Sequence, residues 1–80
     1  MRRIYPGLET LRRGEHLEIS GRHYMMIPGE IKIGDLCIGE RNTGPHAKII
    51  NEISKDGSIY YPSDNSYPYD YFEWIKVKEI

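Results

Sequence analysis

Apolar and polar residues alternate along much of the chain, and this period of two predicts short, half-buried β-strands. Residues 16–19 alternate with Leu17 and Ile19 on one face, and residues 22–27 form a second extended stretch. The dipeptide Ser20-Gly21 between them predicts a two-residue hairpin turn. We therefore expect a β-hairpin at this point of the chain.

Two further extended stretches flank a break at Gly34-Asp35. Residues 31–33 carry their apolar side chains at odd positions, whereas residues 36–38 carry them at even positions. A turn or bulge at the break is the simplest cause of this switch. The polar residues 39–46 that follow contain Gly, Asn and Pro and predict a loop.

The second half of the chain predicts a longer hairpin. Residues 47–54 indicate a strand with Ile49 directed inward, and Ile50 then adds an apolar side chain to the opposite face. The dipeptide Asp56-Gly57 accepts the positive φ angles of a primed turn. We expect residues 59–61 to be the partner strand.

The N-terminal segment predicts one short helix or helical turn within residues 5–14. Leu8 and Leu11 are three positions apart and share a helical face. Gly14 suits the left-handed position that ends many helices. Two leucines are too few to stabilise an isolated helix, so this element has to pack against the rest of the domain.

The C-terminal segment predicts a loop, a turn and a last strand. Residues 62–68 are rich in turn formers, and residues 69–73 fit a single helical turn. Residues 74–80 alternate, with Ile75 and Val77 directed inward.

The order of elements in residues 31–80 resembles that of small SH3-like barrels. It runs from an Ile-Lys-Ile-Gly-Asp-Leu segment at 31–36 to a long strand at 47–54, a tight Asp-Gly turn and a closing strand at 74–79. The resemblance implies a mainly β fold, a small SH3-like barrel of about five or six short strands with one short N-terminal helix or helical turn. Such barrels occur in many small proteins of bacteria and bacteriophages.

The length of 80 residues suits one domain, because each domain needs its own core. We expect an N-terminal arm and short helix over residues 1–14 and the barrel over residues 15–80. Cys37 is the only cysteine, which excludes an intrachain disulfide. No apolar run has the length of a membrane span and no signal-peptide pattern opens the chain, so we expect a cytoplasmic protein without a membrane partner.

Aromatic residues are concentrated between positions 60 and 74, which hold seven of the nine in the chain. If Ile75 faces inward, its neighbour Trp74 faces outward. The cluster is therefore either an exposed patch that binds a partner or a second small core under the 62–68 loop.

Residues 67–71 resemble the tyrosine-rich segment of peptide-binding SH3 domains, but they lie near the end of the chain, so proline-peptide recognition is not carried over. The candidate protein-binding residues are Tyr60, Tyr67, Tyr69, Tyr71 and Trp74.

The favoured function is a small non-catalytic binding module, an accessory or host-interaction protein that recognises another protein through this Tyr/Trp-rich surface. One alternative is weak nucleic-acid binding through N-terminal arginines and a barrel face, although a formal net charge of −1 disfavours it. Another is self-association as a homodimer through an exposed edge strand and Ile50. The candidate nucleic-acid contacts are Arg2, Arg3, Arg12, Arg13 and Arg22.

Catalytic and metal-binding patterns are missing from the sequence. Cys37 and His46 fit a nucleophile and a base, but no third orienting group or oxyanion hole is indicated. The histidines and the cysteine do not occur at zinc-ligand spacings. We expect no enzymatic activity, no metal and no cofactor.

Overall fold

The computed structural model describes residues 7–80, which form one short α-helix, six strands and a 3₁₀ turn at Pro68–Asp70. Tyr5, at the start of the predicted helical segment, lies outside the described residues. In the described part, no helix is long and apolar enough to cross a membrane. The elements in chain order are α1 (Leu8–Arg12), β1 (Leu17–Ile19), β2 (Arg22–Met26), β3 (Leu36–Arg41), β4 (Gly44–Ile53), β5 (Tyr60–Pro62) and β6 (Trp74–Glu79).

The strands form one antiparallel sheet in the order β1-β2-β6-β3-β4-β5. The mainly β prediction is confirmed. The closed SH3-like barrel is not, because β1 pairs with β2, β5 pairs with β4, and within residues 7–80 no pairing joins these two edge strands. Each edge strand is only three residues long, so it offers few backbone groups for closing the sheet.

The first hairpin has the predicted turn. Ser20 and Gly21 both have positive φ, 52° and 81°, as a type I′ turn requires. The hairpin at Asp56-Gly57 is also present, but its turn type was predicted wrongly. Only Gly57 has positive φ there, and its N–H donates to the carbonyl of Ser54, so the connection is longer than a two-residue turn.

Residues 39–46, predicted as a loop, are mostly strand. β3 and β4 pair until Arg41 lies opposite Gly44, which leaves only two residues between them. Pro45 has no backbone N–H to donate to this ladder. It is tolerated because the backbone groups of its partner Glu40 form their hydrogen bonds with the segment on the other side of β3. There, the Glu40 N–H donates to Glu73 and its carbonyl accepts from Phe72.

The extended stretch predicted at 31–33 is not a strand. The chain between β2 and β3 is irregular, and the N–H of Asp35 donates to the carbonyl of Lys32 in a turn. The carboxylate of Asp35 accepts a hydrogen bond from the Lys32 N–H at 2.8 Å. These local bonds favour a turn over a ladder at this point.

Helix α1 covers one face of the sheet, which we call the helix face. Leu8 and Leu11 are 1% and 0% exposed and join the buried core there. Gly14, with φ 82°, ends the helix as predicted, and its N–H donates to Leu11 while that of Glu15 donates to Thr10. The core cluster consists of Leu8, Leu11, Leu17, Tyr24, Ile38, Ile75 and Val77.

The faces predicted for the two isoleucines of β4 are right, but the exposure expected for them is wrong. Ile50 is 0% exposed, whereas Ile49 is 46% exposed. Ile50 has the parity of His46 and Lys48, so it lies on the side opposite the helix face, and a bulge follows it between Ile50 and Glu52. Ile50 is therefore not the exposed apolar side chain on which the self-association hypothesis drew; self-association itself stays a prediction.

Candidate binding groove

The rings of Tyr71 and Trp74 stack on the sheet surface opposite the helix face, which we call the aromatic face. Their centroids are 4.4 Å apart with an interplanar angle of 28°. Both lie against Gly39 of β3, where an added Cβ would be 2.6 Å from Tyr71 and 2.8 Å from Trp74. Gly39 therefore provides the space in which the two rings reach the backbone.

Tyr71 is held from the remaining sides by two residues of the β3–β4 hairpin. The Arg41 guanidinium carbon lies 5.3 Å from the ring centroid, which places a cation over the aromatic face of the ring. The His46 ring meets Tyr71 edge-on at 6.4 Å and 89°. Burial, with the nearby Lys48 and Arg41 charges, lowers the pKa of His46, so its imidazole is neutral at pH 7.

The Tyr71 side chain is buried, at 8% exposure, yet its hydroxyl has no hydrogen-bond partner. No other buried side-chain nitrogen or oxygen in residues 7–80 is in this state. Leaving such a group unpaired costs about 1–3 kcal/mol. Since stacking on Trp74 and packing on Gly39 use only the ring, the hydroxyl makes no visible contribution to the fold.

A groove of about 460 Å³ opens beside these rings, between the β5 segment, the 3₁₀ turn and the start of β6. Tyr69 and Phe72 expose 71% and 64% of their surface here. A hydrogen bond with Tyr69 raises the pKa of Tyr61. The groove walls include Tyr60, Pro68, Tyr69, Tyr71, Phe72 and Trp74.

Four of the five candidate protein-binding residues line this groove, namely Tyr60, Tyr69, Tyr71 and Trp74. Tyr67 does not line it and is 74% exposed. Trp74 faces away from the helix-face core, as its parity predicts. The cluster is divided between its two interpretations, because Tyr71 is packed while Tyr69 is exposed; that the exposed part binds a partner stays a prediction.

Pro68, Phe72 and Gly39 also belong to this site, although the sequence pattern did not predict them as parts of it. Pro68 and Phe72 lie within the aromatic segment, but their positions in the predicted loop and turn gave no sign of a wall. Gly39 was placed in a loop, and its register opposite Trp74 depends on β3–β6 pairing, which no local pattern reveals.

Two ion pairs fasten the loop that precedes the groove to the sheet. Arg41 binds Asp70 at 3.1 Å, and Lys48 binds Asp64. The hydrogen bond from Lys48, together with those from Ser66, lowers the pKa of Asp64 to about 2. The loop is therefore anchored at both of its ends by ion pairs to the sheet.

A second, smaller groove of about 370 Å³ lies on the other side of Trp74. Its walls include Met26, Ile27, Pro28 and Ile31 from the segment after β2, together with Lys76. Trp74 thus borders both grooves.

The arginines of the nucleic-acid hypothesis do not form an uncompensated basic field in the described part of the chain. Arg12 pairs with Glu73, Arg13 lies 3.4 Å from Glu15, and Arg22 lies 3.7 Å from Glu79. Nucleic-acid binding stays a prediction. Arg2 and Arg3 lie outside the described residues.

Cys37 is fully buried, and burial raises the pKa of its thiol to about 12. The thiol is thus protonated at neutral pH and is not an activated nucleophile. His46 instead hydrogen-bonds Thr43 at 2.9 Å. Within residues 7–80, no group of three or more His, Cys, Asp or Glu side chains is arranged to hold a metal ion.

Comparison with known proteins gives no match: no protein-family model, no curated protein and no solved structure is significantly similar to the chain. The functional argument therefore rests on the geometry of the groove.

Proposed function

We propose that the chain is a non-catalytic binding module that takes a segment of another protein into the aromatic groove. The observation that carries this proposal is the meeting of Tyr60, Tyr69, Tyr71 and Trp74 around one cleft. Tyrosine and tryptophan provide large contact areas with little loss of side-chain entropy, and interfaces are enriched in them.

The size and exposure of the groove suit a peptide better than a flat contact. A volume of about 460 Å³ falls within the range of small ligand sites. Tyr69 and Phe72 expose most of their surface, so they lose unfavourable contact with water when a partner covers them. Tyr71 and Trp74 supply the packed floor beneath.

We also propose that the fold is an open relative of the SH3-like barrel. A long strand, a tight turn, a short strand and a 3₁₀ turn before the last strand match the order of elements on which the resemblance rests. The β1 strand is an addition at one edge. The accessory role and the cytoplasmic location stay predictions.

A selection experiment tests the binding function. The purified chain is immobilised and offered a displayed library of random dodecapeptides, and enriched sequences are made as synthetic peptides for affinity measurement. We expect enrichment of related peptides, at least tenfold weaker binding to Tyr69→Ala, and unchanged binding to Tyr67→Ala. Tyr67 is a matched control because it is a tyrosine of similar exposure, 74% against 71% for Tyr69, outside the groove walls.

Far-UV circular dichroism of both variants checks that the fold is intact. If the library yields no related sequences, or if the two alanine variants bind equally well, the groove is not the binding site and the proposal is wrong.

A further inference from the structure

The hydroxyl of Tyr71 is the feature of the groove that the binding function, as stated so far, leaves unused. It belongs to a groove residue that is 8% exposed, and it has no hydrogen-bond partner. Native proteins rarely leave a buried polar group in this state. A phenylalanine would keep the stacking on Trp74 and the contact with Gly39 without the unpaired oxygen.

We infer that the groove binds an extended, neutral or basic polypeptide segment whose main-chain carbonyl accepts a hydrogen bond from the Tyr71 hydroxyl; this inference rests on the proposed binding function. The hydroxyl is buried and Tyr71 lines the groove, so a segment in the groove reaches it once a neighbouring side chain of the wall moves aside. Exposed side chains change rotamer rapidly, so this step needs no movement of the sheet.

An extended segment is the occupant because it presents both kinds of group that the groove can use. Its side chains alternate in direction and can contact aromatic walls, while its carbonyls recur at about 3.3 Å per residue. The groove offers the matching features, since aromatic rings form most of its walls and the one unpaired buried group is a hydroxyl donor.

The charge around the groove selects against an anionic acceptor. Residues 56–73, which build most of the walls, carry four carboxylates and no Lys or Arg. Three of these carboxylates are paired with cations from elsewhere in the chain, and the remaining one, Asp56, is bonded to Ser54 and Ser58. Ser58 itself lines the groove. Because Asp56 is bonded to serines rather than to a cation, residues 56–73 keep one negative charge beside the groove. This charge disfavours a phosphate or carboxylate relative to a neutral carbonyl with nearby Lys or Arg side chains.

The test compares Tyr71→Phe with the wild-type chain, using the most enriched synthetic dodecapeptide of the selection as the probe. We expect the melting temperature to be equal or higher, because the variant loses an unpaired buried hydroxyl. The affinity for the probe should fall at least fivefold. Tyr60→Phe, which removes a hydroxyl from another tyrosine of the same groove, should bind within twofold of the wild type.

Two results would overturn the inference. Equal binding by Tyr71→Phe and the wild type means that the hydroxyl does not contact the peptide, although the groove still binds it. A lower melting temperature together with weaker binding means that the hydroxyl serves the fold. A selection without any enriched peptide is a different outcome, which removes the proposed function and this inference together.

The charge argument has its own measurement. Replacing one neutral residue of the probe by glutamate should weaken binding more than replacing it by lysine, and the difference should shrink at high salt. The opposite order contradicts the assignment of a neutral or basic segment.

Discussion

The helix face and the aromatic face lie on the two sides of one sheet and are built by different means. The helix face buries mainly aliphatic side chains beneath α1, and its cluster is sealed by Leu8 and Leu11. The aromatic face has a glycine at its centre, with two stacked rings, a guanidinium and an imidazole arranged around it. One side is therefore closed by a helix, whereas the other combines buried side chains such as Ile50 and Tyr71 with exposed rings such as Tyr69 and Phe72.

Neighbouring residues on one strand show how closely the two sides are coupled. Ile38 is completely buried on the helix face. The rings of Tyr71 and Trp74 pack against the next residue, Gly39, on the aromatic face. Because side chains alternate along a strand, a single register fixes both surfaces. Four predictions test how separate the two sides are, in order of decreasing effect.

The largest effect is expected from Leu11→Ala on the helix face. The side chain is 0% exposed, and truncating a buried leucine costs about 2–5 kcal/mol. This is a large part of the total for a chain of this size, which is on the order of 4–12 kcal/mol. Urea unfolding followed by circular dichroism measures the loss.

Ile33→Ala, at a residue 64% exposed, is the control and should change the free energy of unfolding by less than about 0.5 kcal/mol. Equal effects of the two substitutions would contradict the assigned core.

The second prediction concerns the adjacent isoleucines of β4. Ile50→Ala should lower the free energy of unfolding by about 2–4 kcal/mol, because the residue is fully buried on the aromatic side. Ile49→Ala should cost less than about 1 kcal/mol, since Ile49 is 46% exposed. The same unfolding measurement compares them. A larger loss at Ile49 would restore the burial expected from the sequence.

The third prediction is that Gly39→Ala disturbs the aromatic face selectively. The backbone at Gly39 does not have positive φ, so it accepts alanine, but the new methyl group would overlap Tyr71 and Trp74. Overpacking of this kind costs about 1–3 kcal/mol. In NMR spectra, the indole N–H of Trp74 should shift while the amides of α1 stay in place. Shifts of similar size in both places would mean that the two sides are not separable.

The smallest effect is expected from acidification. The pKa of Asp64, about 2, lies below its unfolded value of about 3.9, so the Lys48 pair stabilises the fold above pH 4 and is lost as the pH falls through 2. The Asp64 side chain is 40% exposed, so the contribution is less than about 1 kcal/mol. Between pH 5 and 2 the Trp74 resonance should move before those of α1, and Asp64→Asn should remove this early step. Simultaneous movement would contradict the role of the ion pair at the loop.

Much of the fold could be predicted because it follows local rules. The Ser20-Gly21 turn, the Leu8 and Leu11 helix ended by Gly14, and the inward parity of Ile75 are all set by neighbouring residues. The loop predicted at residues 39–46 is wrong, because Gly39 and Pro45 lie in strands whose pairing involves segments distant in the sequence.

The candidate site could be predicted less completely than the fold. A concentration of aromatic residues indicates a contact region, and most of the selected tyrosines do line the groove. Which rings are packed and which are exposed depends on long-range register, as the pairing of Gly39 with Trp74 shows. The same limit explains Ile50, because alternation gives the face of a strand residue but does not reveal that distant segments cover both faces of the sheet.

Trp74 borders both grooves and is the only tryptophan of the chain. Its emission spectrum is therefore an intrinsic optical probe that needs no label. Occupation of the larger groove changes the ring on the Tyr71 side, and occupation of the smaller groove changes it on the side of Met26. A fluorescence titration can thus detect a ligand at either place, and quenching by a small solute such as acrylamide can report how much of the indole that ligand covers.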